Sequence, residues 1–282
     1  MTGSYGLSFL EVTLMNEQEL SKVLICPVCR SNLNLRGKQF ICPSCNENYK
    51  IKEDIPIMLS SSYKEYHNKY LELYNDNLIQ SHYSLSSAMR CKYDLDFLCK
   101  NFDPHNKIIF DMGGGSASLS KKLAEYNTIY LIDISYMALS RLDKTPNIIP
   151  ICADIQNVCL NVKSDLIICT EVLEHLSDPK SALESFHMSL KDGGLLYVSV
   201  PILNMPLKKV VSKIYRILYR IRDRNEHLRI YTSKTIFSEL KSAGFSIKNI
   251  KYDHSIVPFS VENRGILNSI LANRINIIAE KK

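Results

Sequence analysis

Residues 107–120, KIIFDMGGGSASLS, constrain the fold more than any other part of the chain. A β-branched apolar run ends in Asp111, and Gly113, Gly114 and Gly115 come next, ahead of a helix-forming segment. Glycine has no Cβ and tolerates positive φ, so the backbone can turn sharply there and approach a ligand closely. Strand, glycine turn and helix in that order suit a nucleotide-like cofactor seated over the helix N-terminus. A sharp loop without a ligand would use the same residues, so the downstream sequence has to decide between them.

Downstream, the chain alternates. Apolar strand-like runs at 107–111, 128–133, 147–151, 165–170, 193–200, 245–252 and 274–279 are separated by segments of helical character. Helices are expected up to 126, up to 142, from the Asp178-Pro179 start to 190, and over 233–243 before Gly244. This predicts an α/β fold, a doubly wound Rossmann-like seven-stranded parallel sheet. In such sheets ligands bind beyond the carboxyl ends of the strands, where strand order reverses. Asp111 with Gly113 and Gly115 stands at the first such end, Asp133 at the second, Asp154 after the third, and Thr170 with Glu171 at the fourth. An ionised carboxylate at Asp133 offers acceptor oxygens to both hydroxyls of a ribose. A dinucleotide fingerprint would place a third glycine where Ser118 stands, which favours a different adenosine cofactor.

Ahead of this domain, Cys26-Pro27-Val28-Cys29 and Cys42-Pro43-Ser44-Cys45 lie twelve residues apart. Two CxxC pairs at that separation bring four thiolates around one zinc ion, with a hairpin between the knuckles. Four ligands leave no open position, so the zinc is expected to be structural and to supply much of the module's folding free energy. The module is placed at residues 20–60. Residues 61–104 are expected to form a helical cap or linker, with a stripe of Tyr63, Tyr66, Tyr70 and Tyr74 at helical spacing, and 105–282 the main domain.

The chain has 282 residues, 45% of them hydrophobic, enough for one α/β domain and a small module. It carries no run near the roughly 18 apolar residues of a membrane span, and nine cysteines in this arrangement suit a reducing cytoplasm. Cys152, Cys159 and Cys169 are expected to act as small hydrophobes. The recognisable sequence starts near Leu20, so Met15 competes with Met1 as the start. Between Met205 and Ile230, eight basic residues face only Asp223 and Glu226, an excess equal to the chain's net charge of +6.

Several stretches together resemble the class I S-adenosylmethionine-dependent methyltransferases: Phe110-Asp-Met-Gly-Gly-Gly115, Tyr130-Leu-Ile-Asp-Ile-Ser135, Cys152-Ala-Asp-Ile155, the run DLIICTEVLEHL from Asp165, LKDGGLLYVSVP from Leu190, and the closing segment 227–245. The N-terminal module, with its tail NYKIKEDIPIML, resembles the zinc ribbon that accompanies some tRNA and protein methyltransferases. The resemblance implies that Gly113 and Gly115 pass the methionine part of S-adenosylmethionine, that Asp111 fixes the turn or the amino group, and that Asp133 holds the ribose. It further implies that Asp154 and Ile155 contact the adenine, with Thr170 beside the cofactor and Glu171 and His175 at the cleft floor. His227 and His175 are the candidate general bases, since imidazole titrates near neutrality, and a backbone hydrogen bond is the competing role for His175.

Residues 207–224 form a basic amphipathic helix on this reading, inside a 202–230 insertion where the family commonly carries a lid. A lid with a solvated charged face, a membrane-surface anchor and a nucleic-acid contact all fit it. The expected activity is methyl transfer to a small-molecule or lipid-linked acceptor, by a cytoplasmic enzyme that is peripheral at the membrane if the helix is an anchor. An RNA methyltransferase that grips its substrate with ribbon and basic helix is one alternative. A non-catalytic partner protein that keeps the fold is another. Oligomeric state is left open.

Overall fold

The computed structural model describes residues 17–61, 85–203, 228–253 and 273–282. The tyrosine stripe, the basic segment 207–224, His227 and Met15 lie outside the described residues.

In the N-terminal module a short helix, α1 (Glu17–Val23), leads into strands β1 (Asn34–Leu35), β2 (Gln39–Ile41), β3 (Asn48–Lys52) and β4 (Ile55–Pro56). They form an antiparallel sheet in chain order, around the buried side chains of Phe40 and Tyr49. α1 forms because Leu20 packs into the core and two acids occupy its first turn, where the helix dipole favours them.

Helix α2 (Leu85–Cys99) precedes the main sheet, whose strands are β5 (Ile108–Met112), β6 (Thr128–Asp133), β7 (Ile148–Cys152), β8 (Ser164–Thr170), β9 (Leu190–Pro201), β10 (Phe245–Asp253) and β11 (Arg274–Lys281). Helices α3 (Ser120–Leu123), α4 (Tyr136–Ser140), α5 (Pro179–Ser189) and α6 (Ser233–Ser242) lie between them in sequence. α3 and α4 are shorter than the sequence suggests. Asp178 caps α5 with Pro179 in its first turn, as expected, and Thr232 with Thr235 closes a capping box on α6.

The strand order is β10-β11-β9-β8-β5-β6-β7. Side chains alternate across it, as the pleat requires. On one face, Phe110, Tyr130, Ile167 and Val198 pack under α5, α6 and the N-terminal module. On the other, Ile109, Ile129, Leu166 and Tyr197 pack under α2, α3 and α4. The ribbon module therefore shares a core with the sheet. Its tail also covers the edge strand: Ile57 pairs with Cys152, and the Met58 N–H donates to the Cys152 carbonyl at 2.7 Å. Covering an edge removes unpaired backbone groups that would otherwise attract another strand.

The expectation of an all-parallel sheet is corrected at one strand. β11 runs antiparallel to both β9 and β10, between which it inserts. An antiparallel neighbour needs no crossover helix, and the reversal has a functional consequence. It delivers the first residue of β11, Arg274, to the edge where the parallel strands end, opposite Pro201 and Asp253.

Candidate active site

The glycine turn after β5 is tightly fitted on two sides and open on the third. Gly113 has φ of 75° and donates its N–H to the Ile132 carbonyl at 2.7 Å; a Cβ there would lie 2.5 Å from Val172. A Cβ on Gly114 would lie 2.6 Å from the Asp111 carboxyl carbon. A Cβ on Gly115, with φ of 48°, would meet nothing within 4 Å among the described residues. Asp111 is thus packed beneath the turn, where its Oδ2 accepts the Ser120 hydroxyl at 2.5 Å. Burial pushes its carboxyl up to about 6 against that hydrogen bond, and the charge of Asp133 adds to the rise.

Asp133 ties the first two strand ends together. Its Oδ2 accepts the Gly115 N–H at 3.0 Å and its Oδ1 accepts the Ser135 N–H at 2.8 Å. Burial raises its pKa, and these backbone donors oppose the rise. Each carboxylate oxygen has a second lone pair to offer a ligand. At the third strand end, Asp154 caps a 3-10 turn (Ile155–Asn157) by accepting the Gln156 N–H at 2.9 Å, and Ile155 is buried beside it. Thr170 ends β8 in register with Ser199. A glycine turn without a Cβ at Gly115 and a carboxylate hydrogen-bonded to its N–H at Asp133 are a donor set that suits a ribose-bearing cofactor.

The opposite half of the cleft is made of charge. Glu171 follows β8 with φ of 57°, and its Oε1 accepts from the Arg274 Nε at 3.1 Å and the Ser199 hydroxyl at 3.3 Å. The buried Arg274 also takes both oxygens of Asp94 on α2, at 2.9 and 2.7 Å, and Asp253 at 3.2 Å. Burial alone would lower the pKa of Arg274, but Asp94 and Glu171 more than reverse that. Glu174, in the 3-10 turn Leu173–His175, is fully buried, and neither carboxyl oxygen has a hydrogen-bond partner among the described residues. Burial, then the charge of Glu171, pushes it up to about 9, so it holds its proton at neutral pH. His175 is mostly buried, with Nε2 3.9 Å from the Glu174 carboxyl.

The methyltransferase domain family matches residues 87–249, more than half of the chain. The chain belongs to that family. Over 193 residues it is 23% identical to the ubiquinone biosynthesis O-methyltransferase of Chromobacterium violaceum, which spans 64% of the chain and 83% of that enzyme. It is 33% identical over 105 residues to the enzyme of that description from Glaesserella parasuis, covering 33% of the chain but only 44% of the relative. Among solved structures, the N-methyltransferase NodS from Bradyrhizobium japonicum, in complex with S-adenosylhomocysteine, aligns with a TM-score of 0.54 at 14% identity, over 76% of this chain and 97% of that one. That likeness is one of fold.

The methyltransferase uses S-adenosylmethionine, and the sequence pattern places its ligand edge at the carboxyl ends of β5 to β8. The sequence pattern assigns Asp111, Gly113, Gly115, Asp133, Asp154, Ile155, Thr170, Glu171 and His175 to that edge, and all of them stand at or after the ends of β5, β6, β7 or β8. It assigns no role to Arg274, Asp94, Asp253, Ser199 or Glu174. A signal exists for one of them: Arg274 heads the strand RINIIA, and an arginine drawn into an apolar strand needs buried acids to answer it. A cavity of about 440 Å³ opens at the opposite end of the sheet, where the parallel strands begin, beside Lys107, Asp165, Lys191 and Lys248. Lys191 pairs with Asp165 at 2.8 Å and Lys248 with Glu280 at 2.6 Å, so much of its charge is already answered.

The four cysteine sulfurs of the N-terminal module lie within 4.8 Å of one another, Cys26 3.5 Å from Cys45 and Cys29 3.3 Å from Cys42. Tetrahedral zinc with bonds of about 2.3 Å needs sulfurs about 3.8 Å apart, so the cluster fits one zinc ion. Its two knuckles match: the Arg30 N–H donates to the Cys26 carbonyl at 2.9 Å and the Asn46 N–H to the Cys42 carbonyl at 3.0 Å. Cys152, Cys159 and Cys169 are buried, and burial raises all three thiols, Cys152 and Cys159 to about 12, which leaves them unreactive. Among the described residues, no helix is long and apolar enough to cross a membrane.

Proposed function

We propose that this methyltransferase transfers the methyl group of S-adenosylmethionine to a hydroxyl oxygen of a small organic acceptor, free or lipid-linked. The observation that carries the reading is the placement of Glu171, whose carboxylate is fixed by Arg274 and Ser199 at the end of β8, one strand from the glycine turn. Both of those hydrogen bonds go to Oε1, and on this reading the other oxygen receives the incoming hydroxyl. The ubiquinone-biosynthesis relatives are named as O-methyltransferases, which agrees with an oxygen acceptor.

On this reading Gly113 and Gly115 line the methionine end of the cofactor, Asp133 accepts from the ribose hydroxyls, and Asp154 with Ile155 walls the adenine. Asp111 acts on the turn, since its carboxyl is spent on Ser120 beneath Gly114. The bound cofactor supplies an electrophilic methyl on sulfonium: an O–C bond forms as the S–C bond breaks, leaving S-adenosylhomocysteine. Glu171 orients the hydroxyl and takes its proton, then yields it to water. His175 is assigned a positioning role, because its ring lies against the protonated Glu174. Alignment in a cleft shielded from water accounts for most of the acceleration in such a displacement. Zinc stays remote from these atoms and keeps the ribbon folded.

The test uses methyl-labelled S-adenosylmethionine with fractionated cell extract as the acceptor source. Label entering small-molecule or lipid fractions as an alkali-stable ether supports the reading. Label found only in RNA or protein overturns it.

A further inference from the structure

The first zinc knuckle grips the loop after β7 from outside. The Arg30 guanidinium donates to the Val158 carbonyl and, at 3.3 Å, to the side-chain oxygen of Asn157. The Asn157 side-chain amide donates in return to the Pro27 carbonyl, inside the knuckle. One residue further on, the Ile25 N–H donates to the Cys159 carbonyl at 2.9 Å, and the Asn161 N–H donates to the Val23 carbonyl at 3.0 Å. At the other end of the loop the ribbon's tail holds Cys152 through Met58. The loop 153–158 is therefore pinned to the ribbon at both ends. Asp154 and Ile155 stand between the pins.

Arg30 is an unusual residue for its own position. It has φ of 64°, the left-handed region that glycine and asparagine enter most easily, and Asn46 fills the matching place in the second knuckle with φ of 60°. Nothing in the knuckle's backbone needs a long cationic side chain there. Its guanidinium is used on the other domain, about 130 residues along the chain, where it meets Asn157 and Val158.

We infer that Arg30 and Asn157 are positioning residues for cofactor binding: a strut through which the zinc-held knuckle sets the adenine wall at Asp154 and Ile155. The inference rests on the assignment of those two residues to the adenine side. The ribbon then acts as a template for the donor site, and cofactor affinity depends on a contact that touches neither cofactor nor zinc.

The test is calorimetric titration of the zinc-loaded full chain with S-adenosylhomocysteine, with zinc content measured on each sample. Arg30→Gly keeps the left-handed backbone and removes the strut, and Asn157→Ala breaks the strut from the other domain. Each is expected to keep one zinc per chain and raise Kd about tenfold, the size of one lost hydrogen bond to a charged group. The double variant is expected to be little worse than either single, because the two act as one unit. Asn46→Gly, in the second knuckle, is expected to leave Kd unchanged. Should Arg30→Gly lose zinc, Asn157→Ala alone decides. Kd within twofold of wild type in a zinc-loaded variant overturns the strut. Asp133→Ala separates this from the site assignment: if it abolishes binding while the strut variants do not, only the strut fails, and if it binds normally the cofactor site itself is misassigned.

Discussion

The β5–β6 side of the cleft and the β8–β11 side are built by different means. On the first, Gly113, Gly114, Gly115 and Asp133 shape the site through backbone turns and two N–H donors, all within a span of 23 residues. On the second, Arg274 gathers Asp94, Glu171, Ser199 and Asp253 from positions as much as 180 residues away. The proposed donor half depends on glycines that leave room at the turn. The proposed acceptor half depends on a buried charge being answered. A defect in the first should therefore show mainly in binding, and a defect in the second mainly in folding.

The contrast breaks first at Arg274. Arg274→Ala removes the cation that Asp94, Glu171 and Asp253 share, and removing one partner of a buried ion network costs about 3–5 kcal/mol. Urea unfolding should show that loss, and a variant within about 1 kcal/mol of wild type would mean that water already answers these acids. On the donor side the largest steric effect is expected from Gly114→Ala, whose methyl would meet the Asp111 carboxyl at 2.6 Å. Overpacking of that kind costs about 1–3 kcal/mol, and it should displace the turn and weaken S-adenosylmethionine binding beyond what the stability loss explains. Asp133→Ala removes acceptors and leaves a small void at the cleft edge. Its expected result is at least about a tenfold rise in cofactor Kd with a melting temperature close to wild type. If instead Asp133→Ala melts early and binds normally, the proposed division between the halves is reversed.

That division also explains what can be read from the sequence. The donor half is legible because its chemistry is contiguous: glycines, Asp111 and Asp133 stand at the ends of strands that the alternation of apolar runs already marks. The zinc cluster is legible for the same reason, since CxxC spacing is local. The reversed strand β11 is not legible, because a short strand such as RINIIAEK reads alike in either direction, and its direction decides where Arg274 goes. The network around Arg274 is hidden in turn, because its members share no local pattern and meet only once the sheet order is known. Glu174 passes as one acid in EVLEH, a string that carries no sign of which of its two carboxyls is buried.

Glu174 offers the smallest effect per step, spread over pH, and the sharpest test of charge in the proposed acceptor half. Unfolded, its carboxyl titrates near the ordinary 4.5; folded, burial and then the charge of Glu171 push it up to about 9. Between those values the unfolded chain has released a proton that the folded chain keeps. Stability from this group is thus complete below the lower value and is lost as pH rises toward the upper one, at about 1.4 kcal/mol per pH unit. Glu174→Gln keeps the shape and removes the titration, so its stability between pH 6 and 8 should be flatter than wild type by that slope. Urea unfolding of both proteins at pH 6, 7 and 8 measures the difference. Parallel slopes would mean that Glu174 ionises in the folded enzyme after all, and that a positive charge other than Arg274 balances it.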